Sequence, residues 1–344
     1  MKLKREMVAG VEGGGTTWVC AVAYADSPEE IVERASFATE VDPAKTLSKV
    51  SEWLMSREFS ALGIASFGPI DVNEDSETFG FISMCPKPGW QMTNVVGALK
   101  EAAKGAAVAF DTDVNAPAYA EYMQDPSKSL AYVTVGTGVG VGLVVNGEPV
   151  HGLLHPEAGH VSCPRYPGDT MDTSGLSSLK CQDWHEVEAN VASRALARRA
   201  GLKDATELKD LPDTHEIWHV ASHYLAAMAA NLILVASPQK IIFSGGVMQR
   251  KSLFPKIRTK VVAYLNGYVP PLNDDSVAQV IVPSRWNNDA GIIGALFLAN
   301  NKLNKCRKKK NTPPLSSFLR GCAAGALLTT TAALLVLLRS SSRK

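Results

Sequence analysis

A glycine-rich turn set between two β-strands occurs twice in this chain, and this constrains the fold more than any other feature. Residues 7–11 and 18–24 read as strands of β-forming apolar residues joined by Glu12-Gly13-Gly14-Gly15-Thr16-Thr17. Residues 131–135 and 140–145 repeat the arrangement around Gly136-Thr137-Gly138-Val139-Gly140. A third glycine pair, Gly245-Gly246, follows a strand at 240–244. A P-loop requires Lys-Ser/Thr and then a helix, and a dinucleotide fingerprint opens a helix, so neither describes these turns. Backbone N–H groups in a glycine turn can approach anionic oxygens without interference from a Cβ. Hairpins also favour glycine. Two threonine-bearing turns in separate halves, with a third pair downstream, nevertheless point to a nucleotide held between two lobes.

Further strands are expected at 62–67 and 107–111, and helices at 44–55, 186–200, 218–237, 254–265 and 290–300. Strands alternating with helices predict an α/β architecture, and a 301-residue body suffices for two cores. The formal net charge of +1 hides a segregation: residues 1–301 carry −9 and residues 302–344 carry +10. An acidic body argues against a nucleic-acid binder, which needs a basic face. Six cysteines without a CxxC or a framework spacing fit a reducing compartment, and no apolar leader precedes the first turn.

Residues 321–338 form an uncharged run of 18 residues, bracketed by basic residues, that as a helix would be ~27 Å long. The run is expected to be a transmembrane tail anchor that leaves the body in the cytosol, and Gly321 and Gly325 form a GxxxG within it. A weakly helical tail touching membranes or a partner is the alternative. Residues 302–320, basic and containing Pro313 and Pro314, read as a flexible linker.

Ordered segments through the body then carry a resemblance. They are VEGGGTTWVCAVA near the start, ASFGPIDVN at 65–73, PKPGW at 86–90 and DTDVNAPAYAE at 111–121. TVGTGVGVGLVVNGEPVHGLLHPEAGH at 134–160, SGGVMQ at 244–249 and NNDAGIIGA at 287–295 complete the set. In these the chain resembles the ROK family of sugar kinases, in particular its bacterial-type fructokinase branch. The resemblance implies an actin-like, ribonuclease-H-like pair of α/β lobes with ATP and sugar in the cleft. The N-terminal lobe would be 1–120, completed by a helix at 289–301, and the larger C-terminal lobe 121–288. A single helix at the C-terminus would follow. It also implies ATP-dependent phosphorylation of a hexose, most simply fructose to fructose 6-phosphate. Glucose, mannose or an acylated amino sugar is the alternative substrate, and dimers are common in the family.

On this resemblance Asp113 is the catalytic base, with Asp111 its rival; either could instead be a strand-end or helix-capping aspartate. Glu157, His160 and Glu186 would hold sugar hydroxyls, with Glu188 able to replace Glu186. Gly68, Pro69, Gly89, Trp90 and Asn115 would line the sugar pocket, although Trp90 also reads as plain core. Gly14, Gly15, Thr16, Thr17, Gly136, Thr137 and Gly138 would cradle the phosphates, with the purine near Gly245 and Gly246. Mg2+ would bridge the phosphates, held mainly by water and phosphate oxygens.

Two departures from the family matter. Thr17 stands where Lys or Asn is usual, keeping a donor but no charge. The family's structural zinc cluster, His followed by Cys-x2-His-x2-Cys, retains His160, but the next three positions hold Ser178, Cys181 and Trp184, leaving His160 and Cys181 as the candidate ligands. Cys163 and His185 could offer a rearranged set, yet zinc is doubtful on this spacing. Sugar-responsive repressors of the family carry a helix-turn-helix ahead of the first turn, for which about a dozen residues leave no room. A membrane-tethered sugar sensor with weakened catalysis is the remaining non-enzyme reading.

Overall fold

The computed structural model describes residues 5–179, 181 and 184–311. The expected transmembrane run at 321–338, with Gly321 and Gly325, and the linker beyond residue 311 lie outside them.

The first sheet contains β1 (Met7–Gly13), β2 (Thr17–Tyr24), β3 (Ser27–Ala38), β4 (Ala61–Ser66) and β7 (Ala107–Thr112), ordered β3-β2-β1-β4-β7. β1 and β2 form the hairpin around the first glycine turn, and β4 and β7 run parallel to β1. Between β4 and β7 lie a small hairpin, β5 (Phe81–Ile82) with β6 (Thr93–Asn94), and the helix α2 (Val95–Lys100). Every residue of β4 is buried, as expected of a central parallel strand covered on both faces. α1 (Pro43–Met55) starts where Asp42 accepts the Ala44 N–H and Pro43 takes the first helical position. It buries Thr46, Leu47, Val50 and Leu54, the spacing of one helical face.

The second sheet repeats the plan. β8 (Ser129–Val135) and β9 (Val139–Val145) form the hairpin around the second glycine turn, with β10 (Glu148–Pro149) outside β9. β11 (Lys240–Ser244) and β12 (Ile281–Pro283) extend it in parallel, giving β10-β9-β8-β11-β12. Its helices are α4 (Val187–Val191), α5 (Ser193–Arg199), α6 (Ile217–Ala236), α7 (Leu253–Leu265) and α8 (Val277–Val280). Among the described residues α6 is long and apolar enough to cross a bilayer, but it is packed inside the core of this lobe.

Two helical segments lie between the sheets: α3 (Asn115–Gln124) and the first turns of α9 (Ala290–Asn311), from Ala290 to Leu298. A core cluster joins Ala65 of the first sheet, Ala116 and Tyr119 of α3, Tyr132 and Ile242 of the second sheet, and Ile293 of α9. α9 approaches the first sheet so closely that a Cβ on Gly63 would lie 1.9 Å from the Ala295 carbonyl oxygen.

The structure departs from expectation in four elements. β3 was not expected, because its charged SPEEIVER segment resembles a loop, yet it pairs along β2 as an edge strand. α3 was hidden by Pro117, which sits in the first turn where its missing N–H costs nothing. The helix expected at 186–200 is two short helices, separated where Ala192 adopts ψ 150°. The linker expected from residue 302 begins as helix, since α9 continues to Asn311.

Candidate active site

The parallel strands of the first sheet end level with one another. Gly13 lies opposite Ser66, and Ser66 opposite Thr112, so the first glycine turn, Gly68-Pro69 and Asp113 emerge along one edge. Ligands of α/β sheets bind outside such carboxyl ends. Cross-strand hydrogen bonds tighten the edge: Phe67 N–H to the Gly13 carbonyl (2.8 Å) and Asp113 N–H to the Ser66 carbonyl (3.0 Å). The second sheet brings its two glycine turns together. Gly245 has φ +93° and backs onto Val135, while a Cβ on Gly136 would meet only the Gly246 nitrogen, at 4.0 Å. Thr16, Thr17 and Thr137 are exposed on these turns.

The turn bearing Asp113 is clamped against β9. Cβ atoms on Gly140 and Gly142 would lie 2.7 Å from the Val114 side chain and 2.1 Å from its carbonyl oxygen, so glycine at both positions admits the turn. Asn115 then ties the pieces. Its amide donates to Asp111 (3.0 Å) and to the Val150 carbonyl (3.3 Å), and its oxygen accepts the Leu143 N–H (3.2 Å).

This network separates the two rival aspartates. Asp111 is buried and accepts from the Thr112 N–H, Asn115 and His151 Nε2 (2.9 Å), so its oxygens are occupied. Asp113 is half-buried, and among the described residues its carboxylate has no hydrogen-bond partner beyond its own backbone. Burial first, then the charge of Glu157, pushes the Asp113 carboxyl up to about 6.

The expected sugar-binding groups gather on the second lobe. A short antiparallel bridge between Ser162 and Glu186 aligns the chain on either side of the long loop they enclose. His160 Nδ1 lies 3.1 Å from Glu186, and its Nε2 3.7 Å from Glu157. Glu186 is fully buried and also accepts the Ser178 N–H (2.9 Å). Burial raises the Glu157 carboxyl, His160 opposes the shift and Glu188 adds to it. Glu188 does different work: it accepts the Val139 N–H (2.8 Å) and the Ser178 hydroxyl, holding the second glycine turn.

Three expected pocket residues are placed elsewhere. Asn115 is buried with its amide consumed internally, as described. Trp90 is fully buried, stacks on Trp18 at 5.2 Å and donates to the Glu40 carbonyl, so it is core rather than pocket wall. Gly89, at φ +82°, faces Val41, whose carbonyl oxygen would stand 2.1 Å from a Cβ. Gly68 and Pro69 do flank the site, and His155 accepts the neighbouring Ile70 N–H through Nε2 (3.1 Å). Burial lowers the His155 pKa, in keeping with a neutral ring that accepts at Nε2.

Sequence reasoning assigned no role to Glu12. Its carboxyl is pushed up to about 7 by burial and by the charges of Asp113 and Asp289, with Arg34 only partly offsetting them. Its position directly before the glycines was the available signal. The zinc reading of His160 and Cys181 does not fit the residues present. His160 is engaged by Glu186, His185 accepts from Arg165 (3.1 Å), and Cys163 is buried while Cys181 is exposed. Among the described residues no three His, Cys, Asp or Glu side chains form a metal-binding group. The loop is held instead by a buried Asp169–Arg199 ion pair (2.7 Å), with Tyr224 donating to Asp169 (2.8 Å). Asn190 then links Arg199 to the Glu186 carbonyl.

Two like-built α/β lobes, each opening with a strand–glycine turn–strand hairpin, and a carboxylate without a side-chain partner among the described residues fit the two-lobed, actin-like class of phosphotransferase folds. The ROK family pattern matches residues 8–302, and the chain belongs to that family. It is 36% identical to a fructokinase of Pediococcus pentosaceus over 304 residues, covering 86% of this chain and 99% of that one. The fold is that of the ROK hexokinase from Thermus thermophilus, with a TM-score of 0.70 at 24% identity, covering 87% of this chain and 99% of the other. A ROK glucokinase from Streptomyces griseus, crystallised with glucose and AMPPNP, matches with a TM-score of 0.65 at 20% identity, covering 86% and 99%.

Proposed function

We propose that this protein is an ATP-dependent hexose kinase that converts fructose to fructose 6-phosphate. The fructokinase relative supports the sugar, and the ternary complex of the Streptomyces griseus glucokinase supports a cleft shared by nucleotide and hexose. The observation that carries the mechanism is the contrast between Asp111, fully hydrogen-bonded, and Asp113, half-buried without such partners and with its proton affinity raised. A carboxylate with a pKa about 6 is ionised at neutral pH, yet basic enough to accept the hydroxyl proton as the phosphoryl arrives.

Glu157 and His160 offer the directional acceptors and donors that a polyol needs once water is excluded, while the buried Glu186 orients His160 through Nδ1. The first two glycine turns, with Thr16, Thr17 and Thr137 exposed on them, would receive the phosphates, and Gly245-Gly246 would border the purine. Burial and the charges of Asp113 and Asp289 raise the proton affinity of Glu12, with Arg34 only partly offsetting them, which makes the start of the first glycine turn acidic. Bound with the nucleotide, Mg2+ would neutralise phosphate charge. The ten Lys and Arg of residues 302–344 bracket the uncharged run at 321–338, from which we infer a membrane anchor for the catalytic body.

The test is the full chain with ATP, Mg2+ and a panel of hexoses, reading ADP release. Turnover is expected with fructose, and Asp113→Asn should lower kcat by roughly 10²- to 10⁴-fold with an unchanged circular-dichroism spectrum. Undiminished kcat in that variant would end the base assignment. Absence of turnover on every sugar would favour the sensor reading.

A further inference from the structure

The first glycine turn carries no cation of its own. Residues 13–17 are Gly-Gly-Gly-Thr-Thr, and the residue before them is the acidic Glu12. A polyphosphate brought there would meet backbone N–H groups and a neighbouring carboxylate. Charge neutralisation would have to come from another part of the chain.

The structure brings Lys87 to this place. Its Nζ donates to the Gly15 carbonyl at 2.5 Å across 72 residues of sequence. An ammonium has three donors, and the structure uses one. Among the described residues Lys87 forms no ion pair. The carbonyl contact therefore holds the charge at the turn without cancelling it.

The position of Lys87 is set by a chain of contacts rather than by one flexible side chain. Pro86 and Pro88 flank it and fix their own φ angles. The Lys87 carbonyl accepts the Trp90 N–H (3.3 Å), and Trp90 stacks on Trp18. Trp18 in turn lies directly beneath the glycine turn: a Cβ on Gly13 would come within 2.6 Å of its ring. The strip Thr39-Glu40-Val41 closes the unit from the other side. Thr39 bonds to the Thr16 carbonyl (3.0 Å) and the Gly14 carbonyl (2.8 Å), while Glu40 accepts from Trp90 (2.9 Å) and Val41 packs on Gly89. The glycine turn and the lysine thus rest on one stacked, hydrogen-bonded platform.

We propose that Lys87 is a phosphate-binding residue of this kinase, supplying from a distant segment the positive charge that the first glycine turn lacks. This rests on the nucleotide reading given above. A merely structural Lys87 would clip the turn at Gly15 and hold any ligand of the turn equally. A phosphate-binding Lys87 instead distinguishes ligands by their phosphate charge.

The experiment measures binding of ADP and of adenosine to the full-length protein by calorimetry, for the wild type, Lys87→Met and Lys87→Arg. A charge-assisted hydrogen bond is worth enough that Lys87→Met should weaken ADP by about 10- to 100-fold. Adenosine affinity and the KM for fructose should stay within about twofold, and Lys87→Arg should recover most of the ADP affinity. Equal loss of ADP and adenosine binding would overturn the proposal in favour of a structural clip, as would ADP binding unchanged in Lys87→Met. If the wild type itself binds no ADP, the nucleotide reading falls first and this proposal with it. Retained wild-type binding with an indifferent Lys87 variant removes only the lysine.

Discussion

Asp113 is the residue at which folding and chemistry pull in opposite directions. Its pKa of about 6 lies above the ordinary aspartate value, so the folded state holds the proton more tightly than the unfolded chain. Stability associated with this group is therefore present below about pH 4 and is lost as pH rises through 6. Activity runs the other way, because the base must be ionised, so kcat/KM should climb on an acidic limb near pH 6. Asp113→Asn should accordingly be inactive yet gain on the order of 1 kcal/mol at pH 8, a figure reduced for the group's partial exposure. Thermal melts at pH 5 and pH 8 check it: the advantage over wild type should be larger at the higher pH. Much of this residue scale was legible in advance. DTDVN marked both aspartates, but only the three hydrogen bonds to Asp111 separate it from Asp113, whose carboxylate has no such partners. The same holds for Glu186 and Glu188, two residues apart in sequence, one beside His160 and the other holding Val139.

The elements are arranged around close backbone approaches that only glycine permits. Gly142 admits the Asp113 turn and Gly63 admits α9, with clashes of similar severity for any Cβ, 2.1 and 1.9 Å. Alanine at either position should cost roughly 1–3 kcal/mol in denaturant melts. The consequences for rate should differ. Gly142→Ala displaces the turn that carries the base and should lower kcat in the protein that remains folded, whereas Gly63→Ala should leave kcat near wild type. Equal kcat losses in both would show that the effect is general loosening. The glycine hairpins and the buried strands were readable because their chemistry is local. β3 and the break at Ala192 were not. A charged edge strand is specified by its pairing with β2, and an interrupted helix by the fit of α4 and α5 against the core.

At the scale of the molecule, each sheet opens with a strand–glycine turn–strand unit and continues in parallel strands, and two helices fill the space between them. The sequence period of the turns foretold this duplication. A helix at 289–301 was expected beside the first lobe, but the core it shares with α3 was not, because that core is assembled from residues far apart in the chain. The charge division also belongs to this scale, −9 in the body and +10 in residues 302–344. If the extension anchors the body, the full chain should remain with membranes after carbonate extraction, while a chain ending before residue 302 should be released. Release of the full chain by salt alone would indicate electrostatic contact without insertion.

The Trp18–Trp90 stack has a practical consequence. Two indoles held at 5.2 Å and 20° in a chiral, rigid setting couple their electronic transitions, and the pair sits directly beneath the first glycine turn. The protein thus carries a built-in optical gauge of that turn. Near-ultraviolet dichroism should register any tilt of the turn as ligand arrives, without a label and without turnover.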